Sequence, residues 1–245
     1  MTGKGITLFP SLSTNNSHFR MLLDTIEQET GPAPRYSVIW LHGLGADGHD
    51  FAPIVPELVH GDWPAIRFVF PHAPVRAVTI NNGVRMRAWY DIRTLDWLDL
   101  ANRADQEGVD ASVAQVERLI GNEIGRGIPA ERIFLAGFSQ GGAIALSAGL
   151  RRGTPLAGLI GLSTYLPGAA AAAAALNEGA QTQPVFMGHG TQDPVVPFGA
   201  GEQSAALLRK LGFQVDWHHY RMPHSVCAEE IQDLGDWLSR RLTKA

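Results

Sequence analysis

Short, nearly uninterrupted apolar runs recur along the chain at Ser37–Leu41, Arg67–Phe70, Arg132–Ala136, Leu159–Leu162 and Val185–Gly188. Each is too short for a helix, and the lack of alternation predicts strands buried on both faces. A sixth segment differs. Phe213, Val215, Trp217 and His219 alternate with Gln214, Asp216, His218 and Tyr220, the pattern of a strand nearer the sheet edge. Helical spacing fills the intervals. Val109, Val113, Val116, Ile120 and Ile124 share one face, stopped by Gly125 and Gly127 with Pro129 beyond. Ala205, Leu207, Leu208 and Leu211 mark a second helix, closed by Gly212, and Cys227, Ile231, Leu234, Leu238 and Leu242 line a third. Strand–helix alternation of this kind predicts an α/β fold: a mostly parallel central sheet with helices on both faces.

No internal repeat and no Pro-, Gly- or Ser-rich linker divides the chain, so residues 21–245 read as one domain. Residues 1–20, with the polar stretch Ser11–Ser17, read as a flexible N-terminal extension, and Met21 competes with Met1 as the start. Their only apolar run, Ile6–Phe9, is far shorter than a secretory core. Two long uncharged stretches, Ile133–Leu150 and Gly153–Asn177, raise the question of a membrane span. Glycine and polar residues in the first, and Pro155 and Pro167-Gly168 in the second, favour core segments, so no transmembrane helix is expected.

Composition narrows the function. A chain of 245 residues that is 45% hydrophobic and 18% charged can bury a large core. Twenty Lys+Arg against twenty-four Asp+Glu leave a net charge of −4, which argues against nucleic-acid binding and against a polybasic membrane surface. A lone cysteine, Cys227, excludes an internal disulfide framework and suits a reducing, cytoplasmic setting. It reads as a small buried packing residue of the last helix rather than as a reactive thiol.

In open parallel sheets, ligands bind beyond the carboxyl ends of the strands. The strand ending at Ala136 runs into Gly137-Phe138-Ser139-Gln140-Gly141, a G-x-S-x-G between a strand and a helix. That turn lifts a serine hydroxyl above the sheet, over the positive end of the following helix. The alternative is a chance match in a glycine-rich loop. A nucleophilic serine needs a base, and the base needs an orienting carboxylate, in the chain order Ser, acid, His. Asp193 is the sole acidic residue of the loop after Val185–Gly188, and His224 follows the Phe213–Tyr220 strand. Against these roles stand a turn or cap for Asp193 and a helix-flanking position for His224. His189 precedes the acid and reads as a buttress of its loop. The oxyanion needs a second donor from an earlier strand's loop. Leu41-His42-Gly43-Leu44-Gly45 supplies one, so the backbone N–H groups of Leu44 and Gln140 are the candidate pair, with His42 holding the loop's shape.

Gly43, Gly45 and Gly48 also spell G-x-G-x-x-G, but the acidic residue expected about 20 residues on is missing where the next strand runs into Pro71-His72. No G-K-[ST] follows either. His42, Asp47 and His49 lack a recognised metal-ligand spacing, so neither cofactor nor metal is expected.

These segments together resemble the bacterial carboxylesterase/acyl-protein thioesterase group of α/β-hydrolases. The likeness runs from about Ile39 to Leu238. It adds Pro71-His72-Ala73-Pro74, Met86-Arg87-Ala88-Trp89-Tyr90-Asp91-Ile92, Leu162-Ser163-Thr164-Tyr165-Leu166-Pro167, His189-Gly190, Asp193-Pro194-Val195-Val196-Pro197 and Met222-Pro223-His224 to the motifs above. Val84-Arg85 and the Ala169–Ala175 run depart from the pattern. The resemblance implies an α/β-hydrolase fold without a large lid. It implies a serine carboxylesterase acting on small acyl esters of short to medium chain, or on thioesters, through Ser139, Asp193 and His224. It also implies that Tyr165, Leu166 and Val195 flank the acyl group. Leu95 and Trp97, with Leu98 and Leu100, are candidates for an apolar lip, against a core or homodimer surface. The competing functions are a thioesterase for lipidated proteins and a non-catalytic acyl-binding scaffold, which is expected to lack one of the three residues.

Overall fold

The computed structural model describes residues 22–94 and 104–242. The extension at 1–20 and the candidate lip residues Leu95 and Trp97 lie outside the described residues.

The apolar runs become β2 (Tyr36–Leu41), β3 (Ile66–Pro71), β6 (Ile133–Phe138), β7 (Gly158–Leu162) and β8 (Val185–Gly190), and the alternating segment becomes β9 (Val215–Tyr220). They pair in parallel, in the order β3-β2-β6-β7-β8-β9. β9 starts two residues later than its alternation suggests. The Phe213 N–H closes the preceding helix on the Leu208 carbonyl at 3.0 Å, so its ring packs in the core before pairing begins.

Each central strand feeds both layers of core. In β2, Val38 and Trp40 pack on one face, and Ile39 and Leu41 on the other. β6 divides likewise, with Phe134 and Ala136 opposite Ile133 and Leu135. One layer is closed by α2 (Gln106–Gly125), α3 (Gln140–Leu150) and α5 (Phe198–Lys210). The other is closed by α1 (Val55–Leu58) and α6 (Ala228–Ser239), whose Leu234, Trp237 and Leu238 are almost wholly buried. A further short helix, α4 (Ala169–Ala174), absorbs the alanine run. No described helix is long and apolar enough to cross a membrane.

Three strands carry no apolar signature. β1 (Thr25–Glu29) adds antiparallel to β3, and β4 (Val75–Val78) and β5 (Val84–Arg87) form a separate hairpin. β1 is polar and half-exposed, as suits an edge. Two other expectations shift. Ile124 is exposed, its place on the buried face taken by Leu119. Cys227 is half-buried at the N-cap of α6 rather than packed in its apolar face, because the helix begins only at Ala228.

Candidate active site

Ser139 sits between β6 and α3 with φ 54° and ψ −120°, a left-handed conformation that costs a non-glycine residue about 1–3 kcal/mol. Three contacts hold it there. The Ser139 N–H donates to the Leu162 carbonyl at 2.9 Å, and the Ser139 carbonyl accepts from Thr164 Oγ1 at 2.6 Å and from the Ala143 N–H at 3.1 Å. The flanking glycines are required by close approach. A Cβ on Gly137 would lie 2.3 Å from the Gly141 carbonyl carbon, and one on Gly141 would lie 2.3 Å from the Leu41 oxygen. Glycine here lets the elbow, the start of α3 and the end of β2 touch backbone to backbone.

That contact sets Gln140 opposite the loop after β2. The Leu44 and Gln140 N–H groups enter no hydrogen bond among the described residues, and both residues line a cavity with Ser139. Around them the loop is tied down. His42 Nδ1–H donates to the Gly43 carbonyl at 2.7 Å, and Nε2 accepts from the Ala73 N–H at 3.0 Å. Burial lowers the His42 pKa to about 4, so the ring is neutral and keeps the tautomer both bonds need. The Gly45 N–H donates to the Arg87 carbonyl at 2.9 Å, which fastens the loop to β5. The Gln140 side chain was not singled out from the sequence. Its Oε1 accepts from the Trp89 N–H and its Nε2 donates to the Tyr90 carbonyl, each at 2.8 Å, while Trp89 Nε1–H reaches the His42 carbonyl at 2.9 Å. A polar residue inside G-x-S-x-G gave no hint of this brace, since its partners lie 50 and 51 residues away.

Asp193 and His224, the expected acid and base, meet across the ends of β8 and β9. Asp193 Oδ2 accepts from His224 Nδ1 at 2.7 Å, and Oδ1 accepts from the Val195 and Val196 N–H groups at 2.8 and 2.9 Å. His189, wholly buried, lies with Nε2 3.4 Å from Asp193 Oδ2 and donates to the Val196 carbonyl at 2.9 Å. Burial alone would raise the Asp193 pKa, but the bonds from His189, His224 and Val195 outweigh it and hold the carboxyl well below its ordinary value. An ionised Asp193 keeps the His224 proton on Nδ1 and leaves Nε2 free to accept another. The His224 ring lies against Phe138, the neighbour of Ser139, with centroids 4.7 Å apart. Ser139 Oγ makes no hydrogen bond among the described residues. In resting enzymes this last link is commonly long and tightens when substrate binds.

The cavity beside Ser139 measures about 330 Å³. Tyr165 and Val195 face it, as does Ile80 of the segment joining β4 to β5, which carries no motif. Leu166 instead lies in the core beneath, its N–H donating to Ser204 Oγ at 2.9 Å. Tyr90 and Tyr165 share a buried hydrogen bond at 2.7 Å, and burial pushes the Tyr165 phenol up to about 12, so both walls stay neutral. The loop histidines fall into two groups. His42 is committed to its backbone partners. Asp47, His49 and His72 gather, with ligand-type atoms within 4.8 Å, and His72 Nδ1 accepts the Gly48 N–H at 3.0 Å.

Comparison with known proteins adds an independent line. The Phospholipase/Carboxylesterase family profile matches residues 24–242. Acyl-protein thioesterase 1 of Cryptococcus neoformans is 39% identical over 220 residues, spanning 84% of this chain and 92% of that protein. Carboxylesterase SOBER1 of Arabidopsis thaliana is 32% identical over 209 residues, spanning 85% of this chain and 91% of that protein. The SOBER1 crystal structure superposes with a TM-score of 0.78 at 32% identity, covering 85% of this chain and all of that one (100%). These relatives are fungal and plant, so the likeness holds for the family and not for a bacterial group within it.

Proposed function

This chain belongs to the phospholipase/carboxylesterase family and has its α/β-hydrolase fold, and from that footing we propose how its residues divide the work. It is a carboxylic ester hydrolase. Ser139 is the nucleophile, His224 the base and Asp193 the orienting acid. His224 Nε2 takes the hydroxyl proton as Oγ bonds to the acyl carbon, and the carbonyl oxygen becomes an oxyanion held by the Leu44 and Gln140 N–H groups. The bond to the departing oxygen or sulfur then breaks, and His224 returns the proton to that atom. Water, deprotonated by the same ring, attacks the acyl-enzyme, and the acid leaves with Ser139 regenerated.

The observation that carries this reading is the 2.7 Å bond from His224 to a buried, hydrogen-bonded Asp193, with its ring packed on the elbow that bears the serine. A cavity of about 330 Å³ with apolar walls at Ile80 and Val195 suits short to medium acyl chains. A thioester is the second reading, favoured by the 39% identity to a protein named acyl-protein thioesterase 1. We extend the reading to a cytoplasmic location, supported by the unpaired Cys227, and to one domain over residues 21–245. Self-association as a homodimer completes it, and sedimentation tests that point.

Fluorophosphonate labelling should modify Ser139 in the wild type and fail in Ser139→Ala, whose ester turnover should fall by about 10⁵–10⁶-fold. Retained hydrolysis by Ser139→Ala would end the assignment. A p-nitrophenyl ester series of rising chain length, run beside an S-acylated peptide, separates the ester and thioester readings.

A further inference from the structure

A base that hands its proton to the departing atom must face the space into which that atom leaves. His224 stands in the wall of a second cavity, of about 420 Å³, distinct from the one that holds Ser139, Leu44 and Gln140. The first cavity therefore receives the acyl group and its oxyanion, and the second receives the alcohol or thiol. The walls of the second are partly apolar, with Phe51, Ile54, Val226 and Ile231 around the His224 edge. Two carboxylates, Asp50 and Glu57, complete them. Neither has a cationic partner among the ion pairs of the described residues. Partial burial, together with the nearby Asp47, raises the Asp50 pKa, as expected for a carboxylate without a counter-charge. The acyl cavity offers no such charge: its walls at Tyr90 and Tyr165 are neutral phenols.

We propose that this second cavity is the leaving-group subsite, and that Asp50 and Glu57 make it select small alcohols or thiols bearing a positive charge on a short apolar stem. The stem packs on Phe51 and Ile54, and the cation meets the two carboxylates. The inference rests on the acyl-transfer reading above and adds the substrate's second half. Two partly exposed ion pairs are worth a selectivity on the order of tenfold.

The test compares three S-butyryl thioesters with one acyl group and different thiols. Thiocholine carries a quaternary cation, 3,3-dimethylbutanethiol is its neutral isostere, and 3-mercaptopropionate is anionic. The full-length protein should show kcat/KM about tenfold higher for the thiocholine ester than for the isostere, and lower again for the anionic ester. The ratio of the first two should shrink toward one in Asp50→Asn/Glu57→Gln and in rising salt. Equal turnover of the charged and neutral thioesters by the wild type would overturn the subsite while leaving the esterase reading intact. A preference that survives the double substitution would overturn the assignment to these carboxylates. If that variant fails to fold, the wild-type charge series and its salt dependence decide alone. Failure to hydrolyse any of the three, or p-nitrophenyl butyrate, would sink both readings.

Discussion

Two buried carboxylates lie 37 residues apart in sequence and behave in opposite ways. Asp193, in the loop after β8, is met by two backbone N–H groups and two imidazoles, and its pKa is held low. Glu230, in the first turn of α6, is wholly buried with neither oxygen hydrogen-bonded. Burial, helped by Asp233, pushes its pKa up to about 8. A Cβ on Gly188 would lie 2.0 Å from Glu230 Oε1, so the carboxyl is pressed against the strand that leads to Asp193. Desolvation is common to both groups. The difference lies in the donors, and the lesson is that donors rather than depth decide whether a buried acid carries charge. At neutral pH, Asp193 is an anion able to stabilise an imidazolium, and Glu230 is mostly a neutral acid.

The sharpest way to break this contrast is to take the charge from Asp193. Asp193→Asn keeps the shape but donates toward His224 Nδ1, which forces the wrong tautomer, and kcat should fall by about 10⁴-fold with the fold retained. Steady-state ester hydrolysis and circular dichroism check it. A loss below tenfold would mean that Asp193 does not orient the base.

Glu230→Gln addresses the other member. The folded pKa of Glu230 is raised above its unfolded value, so the folded state binds the extra proton between about pH 4.5 and pH 8. Across that window the wild type loses stability as pH rises, and the amide variant, which cannot ionise, does not. The stability difference between variant and wild type should therefore move in favour of the variant by about 2–4 kcal/mol from pH 5 to pH 9. Denaturant midpoints at the two pH values measure it, and a pH-independent difference would show that Glu230 is charged and solvated.

His189→Gln has the smallest expected effect. It removes one of the bonds that lower the Asp193 pKa and leaves those from His224 and Val195. Asp193 contributes stability above its unfolded pKa, lost as pH falls through its depressed folded value. With one donor gone, the folded pKa rises toward the unfolded one, so that loss should be smaller and be complete at higher pH, and stability at neutral pH should drop by about 1–2 kcal/mol. Acid unfolding curves of both proteins test it.

The same contrast marks how far the chain could be read unaided. β2, β3, β6, β7 and β8 were legible because strands buried on both faces must be apolar throughout, and no surface element mimics that run. β1 and the β4–β5 hairpin escaped because an exposed strand is held by backbone bonds to a neighbour, and its side chains carry no trace of that pairing. The elbow that carries Ser139 was legible from the glycines that crowd it, and the roles we propose for Asp193 and His224 drew on their positions after strands in a parallel sheet. The helix-flanking Glu230 looked like an ordinary acidic first-turn residue. Nothing near it in the chain announces that Gly188 covers it.

Local rules therefore specified the sheet and its helices, and the residue types at the strand ends pointed to the chemistry we propose. Those features depend on patterns within a few residues: period, turn glycines and chain order. Whether a polar atom finds a donor, and which side of His224 opens on Asp50 and Glu57, depended on packing between segments far apart in the chain. Solvation and electrostatics follow distance in space, and the chain acquires those distances only when it folds.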